Sequence, residues 1–125
     1  MGLTGIKREG TQGFKKVVWE NVGDTLAGGL VMDFTAYTAG VNGYMPEGTC
    51  IGKMTATGLG RVVLDPAAPI AGLQILGLSL RDVFIEDNAV VGVGLLGTAR
   101  LKALPANEKS KAAALATALP KITLV

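Results

Sequence analysis

Short runs of apolar and β-favouring residues recur along the chain, separated by turns rich in glycine, proline and polar residues. The clearest piece is Pro46 to Leu64, PEGTCIGKMTATGLGRVVL, which reads as strand, glycine turn, strand. Thr49 to Ala56 favours extension, because Thr and Ile are restricted at χ1 and suit a pleated surface. Gly58 and Gly60 supply the freedom for a reversal, and Arg61 to Leu64 return along the same ribbon. In front of it, Met45-Pro46-Glu47-Gly48 fits a type I turn with proline second and glycine fourth. Two strands alone do not persist in water, so the rest of the chain has to cover this ribbon.

The other segments supply such cover. Val17-Val18-Trp19 reads as a first strand, Asp24 to Gly29 as a turn and Leu30 to Thr35 as a second strand, while Tyr37 to Tyr44, with two glycines and Asn42, reads as loop. Asp65-Pro66-Ala67-Ala68-Pro69 breaks regularity, since each proline biases its predecessor away from helix. Ile70 to Leu80 is one buried strand or two short ones, and Arg81 to Asn88 brackets three apolar residues with charge before a polar turn. Ala89 to Leu101 alternates, with Val91, Val93 and Leu95 on one face and Val90, Gly92, Gly94 and Leu96 on the other. Two glycines in succession on one face weaken a strand and call for a compensating cause. Either the sheet bends there, or another subunit packs tightly against it. In the second case Val90, Gly92, Gly94 and Leu96 are oligomer-contact candidates, together with Trp19, the only tryptophan and a core or interface anchor.

One helix is expected, near the end. Asn107 is placed to cap it and Glu108 to favour its first turn. Lys109 to Leu119 forms its body, Ala112, Leu115 and Leu119 share an apolar stripe, and Pro120 stops it. Lys121 to Val125 then alternates as a closing strand. The elements therefore predict a mostly β domain with one short C-terminal helix.

Composition adds a demand. A chain of 125 residues makes one domain, yet 49% of its residues are hydrophobic and only 18% charged, against a usual charged fraction of about 25%. A monomer this small has trouble hiding that much apolar surface, so part of it is expected to lie against another copy or a partner. A bilayer is not the expected partner. The longest uncharged run, Pro66 to Leu80, contains two prolines and Gln74 and is shorter than the roughly 20 residues of a spanning helix. Lys7, Arg8 and Glu9 stand where a secretory signal would need its apolar region, so no export signal is read.

Charge is unevenly placed. Lys7, Arg8, Lys15 and Lys16 against Glu9 give the first sixteen residues +3, which leaves about −1 for the remainder of a chain whose net charge is +2. With Gly2, Gly5, Gly10 and Gly13 interrupting it, this stretch has no hydrophobic period and reads as a flexible arm. The expected division is an arm over residues 1–20 and a β-rich domain over residues 21–125. The arm is either a solvated tail or a segment that orders on an acidic partner surface, with Leu3, Ile6 and Phe14 as apolar anchors and Lys7, Arg8, Lys15 and Lys16 as cations. Nucleic acid is not the expected partner, because four cations without aromatic interleaving on a near-neutral body make a poor groove reader.

Catalysis has little foothold, and no enzyme, cofactor or metal is expected. There is no histidine, hence no general base with an ordinary pKa near neutrality. Cys50 is the only cysteine and reads as a buried, inert thiol. Asp82, Glu86 and Asp87 match no calcium-loop spacing, and the glycines of GLTGIKREG and TGLGRV lack the lysine-serine pair of a phosphate loop.

The order of PEGTCIGKMTATG, a proline-rich break, IAGLQILGLSLRDV, AVVGVGLLGTARL, a lysine-alanine helix and a closing ITLV resembles the head decoration proteins of tailed bacteriophages, of the lambda type. The resemblance covers roughly Val22 to Val125. It implies a small barrel or tulip-like β domain with an extended N-terminal arm. It further implies a homotrimer on the outside of an icosahedral shell at three-fold positions, where it clamps subunits of the major capsid protein against internal DNA pressure. The protein would be made in the bacterial host cytoplasm and end in the virion. Before Val22 the sequence departs from the family pattern, so Leu3, Ile6, Lys7, Arg8, Phe14, Lys15 and Lys16 are capsid-contact candidates on the chemistry of the arm alone. Two other readings stand beside this one: the trimeric base of a phage head fibre, and a prosthetic-group carrier domain presenting Lys53 at a hairpin tip.

Overall fold

The computed structural model describes residues 17–35, 37 and 43–125, and the fold is mostly β. A six-stranded sheet forms its centre. It contains β1 (Trp19–Thr25), β4 (Cys50–Met54), β5 (Gly60–Val62), β6 (Leu73–Ser79), β9 (Val93–Ala99) and β10 (Ile122–Leu124), with spatial order β1-β9-β6-β4-β5 and β10 beside β9. The ribbon expected from Pro46 to Leu64 is present as β4 and β5, with Ile51 opposite Val62 and Lys53 opposite Gly60. The closing strand β10 lies parallel to β9, Ile122 opposite Gly97, so the chain end is tied into the sheet. Among the described residues the sheet does not close into a barrel.

Two short ribbons lie outside this sheet. β2 (Leu30–Val31) pairs antiparallel with β8 (Val90–Val91), and β3 (Tyr44–Met45) with β7 (Val83–Phe84). The strand expected over Leu30 to Thr35 is thus only two residues long, extended by a bridge from Met32 to Gly60. Tyr44, expected in a loop, is in a strand. The long strand expected over Ala89 to Leu101 divides at Gly92, where β8 leaves to join β2 and β9 continues between β1 and β6.

The single expected helix is two: α1 (Ala106–Ser110) and α2 (Ala112–Ala118), separated at Lys111, whose φ of −113° and ψ of 30° interrupt the spiral. A 3-10 turn, Leu101–Ala103, precedes them. Asn107 is not the cap. Pro105 occupies that position without a side-chain bond, and the Asn107 amide donates instead to the Leu64 carbonyl at 2.9 Å. Leu119 leaves the helical region directly before Pro120, as the proline ring demands of its predecessor.

The two faces of the sheet bury two cores, because successive side chains of a strand point oppositely. On β4, Cys50 enters the core beneath the helices with Trp19, Leu78, Leu104, Leu115, Leu119 and Ile122. Its neighbour Ile51 enters the core beneath the ribbons with Leu30, Met32, Met45, Val91 and Val93. Two glycines make the sheet possible. A Cβ on Gly94 would strike the Trp19 ring, and one on Gly77 would strike the Gly94 carbonyl. The tight packing anticipated along this strand is therefore met by Trp19 of the same chain, whose indole N–H donates to the Ser79 carbonyl at 2.9 Å. Val18 and Trp19, on the arm side of the boundary expected at residue 20, are buried in the core.

Candidate interaction surface

The ribbons create the most unusual surface. In β2–β8, Leu30 faces Val91 and both are buried, while Val31 faces Val90 on the outside. In β3–β7, buried Met45 is paired with Val83, and Tyr44 faces Phe84 on the outside, their rings edge to face at 5.3 Å. An antiparallel ribbon with one wet face ordinarily carries polar residues there. Here all four outward positions are large and apolar, and they remain 37% (Val31), 59% (Val90), 45% (Tyr44) and 50% (Phe84) exposed.

A hollow adjoins the patch. Val90 and Phe84 wall it, Gly28, Gly29 and Gly92 leave it without side chains, and Arg81 and Asp82 line it. Gly28 and Gly29 have φ of 78° and 72°, the left-handed region that favours glycine, and a Cβ on Gly29 would meet the Val91 carbonyl. A second concavity is shared by Val31, Ile85, Glu86 and Asp87. Arg81 and Asp82 thus lie at the first hollow, and Glu86 and Asp87 at the second concavity. Asp82 also holds the local backbone, accepting from the Glu47 N–H at 2.7 Å.

A separate cup of about 230 Å³ is lined mainly by Val63, Leu64, Pro69, Ile70 and Leu73, with Tyr37, Asp33 and Arg61 among its polar groups. Arg61 and Asp33 approach at 3.4 Å. The Asp33 carboxyl is held below the usual carboxylate range, first by hydrogen bonds from the Thr35 hydroxyl and backbone N–H and then by Arg61.

Beneath the helices, the Glu108 carboxylate is 2% exposed and accepts the Cys50 N–H at 3.1 Å. Burial raises its pKa, and hydrogen bonds from Cys50, its own N–H and Asn107 oppose the rise. Burial, then the Glu108 charge, push the Cys50 thiol up to about 12. A thiol so placed stays protonated and is a poor nucleophile. Among the described residues no three potential metal ligands cluster. No described helix is long and apolar enough to cross a membrane.

Of the oligomer-contact candidates, Val90 and Gly92 come together at the hollow. Leu96 is exposed elsewhere, opposite Asp24 on β1. Trp19 and Gly94 are used inside the chain, one against the other, and leave little surface for a second copy. Leu3, Ile6, Lys7, Arg8, Phe14, Lys15 and Lys16 lie outside the described residues. Lys53 stands within β4, exposed, while the turn of that hairpin lies beyond it at Thr55 to Leu59. Sequence reasoning missed Val31, Tyr44 and Phe84. The signal available for Phe84 was its place beside Val83 in a run bracketed by charge.

No family model, curated protein or solved structure matches the chain.

Proposed function

We propose that this protein is a structural component of a tailed-phage head, which binds the outside of the shell as a homotrimer at three-fold positions and stabilises it. The observation that carries this reading is the outward side of the ribbons, where four large apolar side chains stand in water on a chain already poor in charge. Such a surface belongs to a molecule that works assembled. The resemblance over Val22 to Val125 to head decoration proteins gives the assembly its identity. A trimer astride a three-fold position touches several copies of the major capsid protein at once. Separating those copies then requires breaking all of its contacts together, which is how a small protein resists internal pressure. The basic N-terminal segment, with Leu3, Ile6 and Phe14 as anchors, supplies the grip on the shell.

The test uses heads assembled without this chain. The purified protein is expected to scatter light as a trimer at micromolar concentration, to sediment with the heads, and to raise the temperature at which they release DNA. Deleting residues 1–16 is expected to abolish sedimentation while leaving the circular dichroism of the body unchanged. A monomer that ignores the heads overturns the reading, and unchanged binding by the deletion variant overturns the role of the arm.

A further inference from the structure

The contact between copies can be located, on the reading just given that the protein works as a closed oligomer. We infer that the ribbon face carrying Val31, Tyr44, Phe84 and Val90 is covered by a second copy of this chain. The face contains its own complement. Tyr44 and Phe84 brace each other edge to face and form a stiff aromatic knob, so few rotamers are lost when it is buried. Beside the knob lies the hollow left open by glycine, where a Cβ on Gly28 would meet nothing within 4 Å. Charge lies beside the face as well: Arg81 lines the hollow with Asp82, which is already engaged by the Glu47 N–H, and Glu86 and Asp87 line the second concavity. Around a three-fold axis one neighbour brings a knob for the hollow and a carboxylate for Arg81, while the other neighbour receives the knob and brings an arginine for Glu86 or Asp87. Opposed charges of this kind set partner choice and register more than raw affinity. Most soluble oligomers are made of identical copies in closed symmetry, and a face that carries both a knob and a hollow can close a ring of them.

Light scattering on the full chain tests the inference. Val90→Asp and Phe84→Asp place a charge on the face at outward positions, so each is expected to keep its circular dichroism while its mass falls to that of one chain. Arg81→Glu removes only a rim pairing and is expected to weaken assembly by roughly two- to fivefold. Adding Glu86→Arg and Asp87→Arg to it reverses the pairing and restores assembly.

Folded Val90→Asp and Phe84→Asp chains that remain oligomeric overturn the inference and leave the head-protein reading standing. If they remain oligomeric but lose binding to heads, the inference is likewise overturned and the face is assigned to the shell. A wild type that is monomeric until residues 1–16 are removed assigns the face to the chain's own N-terminal segment and overturns the inference. A wild-type dimer that both variants dissociate supports the face and overturns three-fold assembly. A wild type that is monomeric with and without residues 1–16 overturns both.

Discussion

The central sheet is closed differently on its two sides. Beneath the helices, α2 presents Leu115 to the sheet, and its exposed residues, among them Ala116 and Thr117, face solvent, so that core ends there. Even the Glu108 carboxylate is taken in with hydrogen bonds supplied. On the other side, two ribbons of two residue pairs cover Ile51, Met32 and Val93, and their outward positions are as apolar as their inward ones. The helices complete a layer here because their outward side carries no large apolar group: α2 exposes only the small Ala113, Ala116 and Thr117, and α1 exposes Lys109 and Ser110. A two-residue ribbon with apolar partners on both sides passes the need for cover to whatever lies next. What distinguishes a finished core from an assembly surface here is the far side of the covering element, not the amount of apolar material beneath it.

Substitution on each side puts this contrast to the test. Leu115 is 1% exposed, and Leu115→Ala is expected to cost about 2–5 kcal/mol, as truncation of a closed core does. Phe84→Ser on the outward ribbon face loses only its edge-to-face contact with Tyr44 and half-buried area, and is expected to cost the isolated chain about 1 kcal/mol. Urea melts of dilute samples measure both. Equal losses would show the ribbon face to be part of the monomer's own core.

A smaller effect is expected from the seam between β6 and β9. Gly77→Ala drives a methyl into the Gly94 carbonyl, a backbone atom of a residue paired on both sides, with Leu78 and Thr25, so it cannot give way cheaply. Overpacking of this kind costs about 1–3 kcal/mol. Thermal melts measure the loss, and Trp19 fluorescence, expected to shift toward that of a more hydrated indole, shows where the strain goes. An unchanged melt would mean that the two strands separate freely, which the shared pairing of Gly94 with Leu78 and Thr25 opposes.

The same contrast decides what could be read from sequence. The β4–β5 ribbon, the closing strand and the Leu115–Leu119 stripe were legible because each is a local pattern: β-favouring residues around a glycine turn, a short alternation, or apolar residues four apart before a proline. The alternation of Val91, Val93 and Leu95 against Val90 and Leu96 also gave the correct faces. The division at Gly92 was not legible, since it depends on β2 and Leu80, which are distant in sequence. Nor was the role of Glu108. A glutamate two residues after Ala106 looks like an ordinary dipole complement, and only the tertiary approach of the Cys50 N–H makes it a buried group. The aromatic knob escaped because Tyr44 follows a glycine-rich stretch and acquires strand geometry from Phe84, forty residues away.

Glu108 offers the finest test of how the helix side is closed. Its folded pKa lies above the usual 4.5, chiefly because burial penalises the charge. Ionising it therefore costs the folded chain more than the unfolded one. Its contribution to stability is fully present below the unfolded value and is lost as pH rises through the folded one. Glu108→Gln keeps an oxygen for the Cys50 N–H and removes the charge, so the variant is expected to gain stability over wild type at pH 7 and to lose most of that advantage at pH 4. It also relieves the charge that helps push up the Cys50 thiol, although burial, the larger cause, remains. Urea midpoints at the two pH values measure the difference. A variant weaker than wild type by the same margin at both would show that the hydrogen-bond geometry, not the buried charge, governs the junction between α1 and β4.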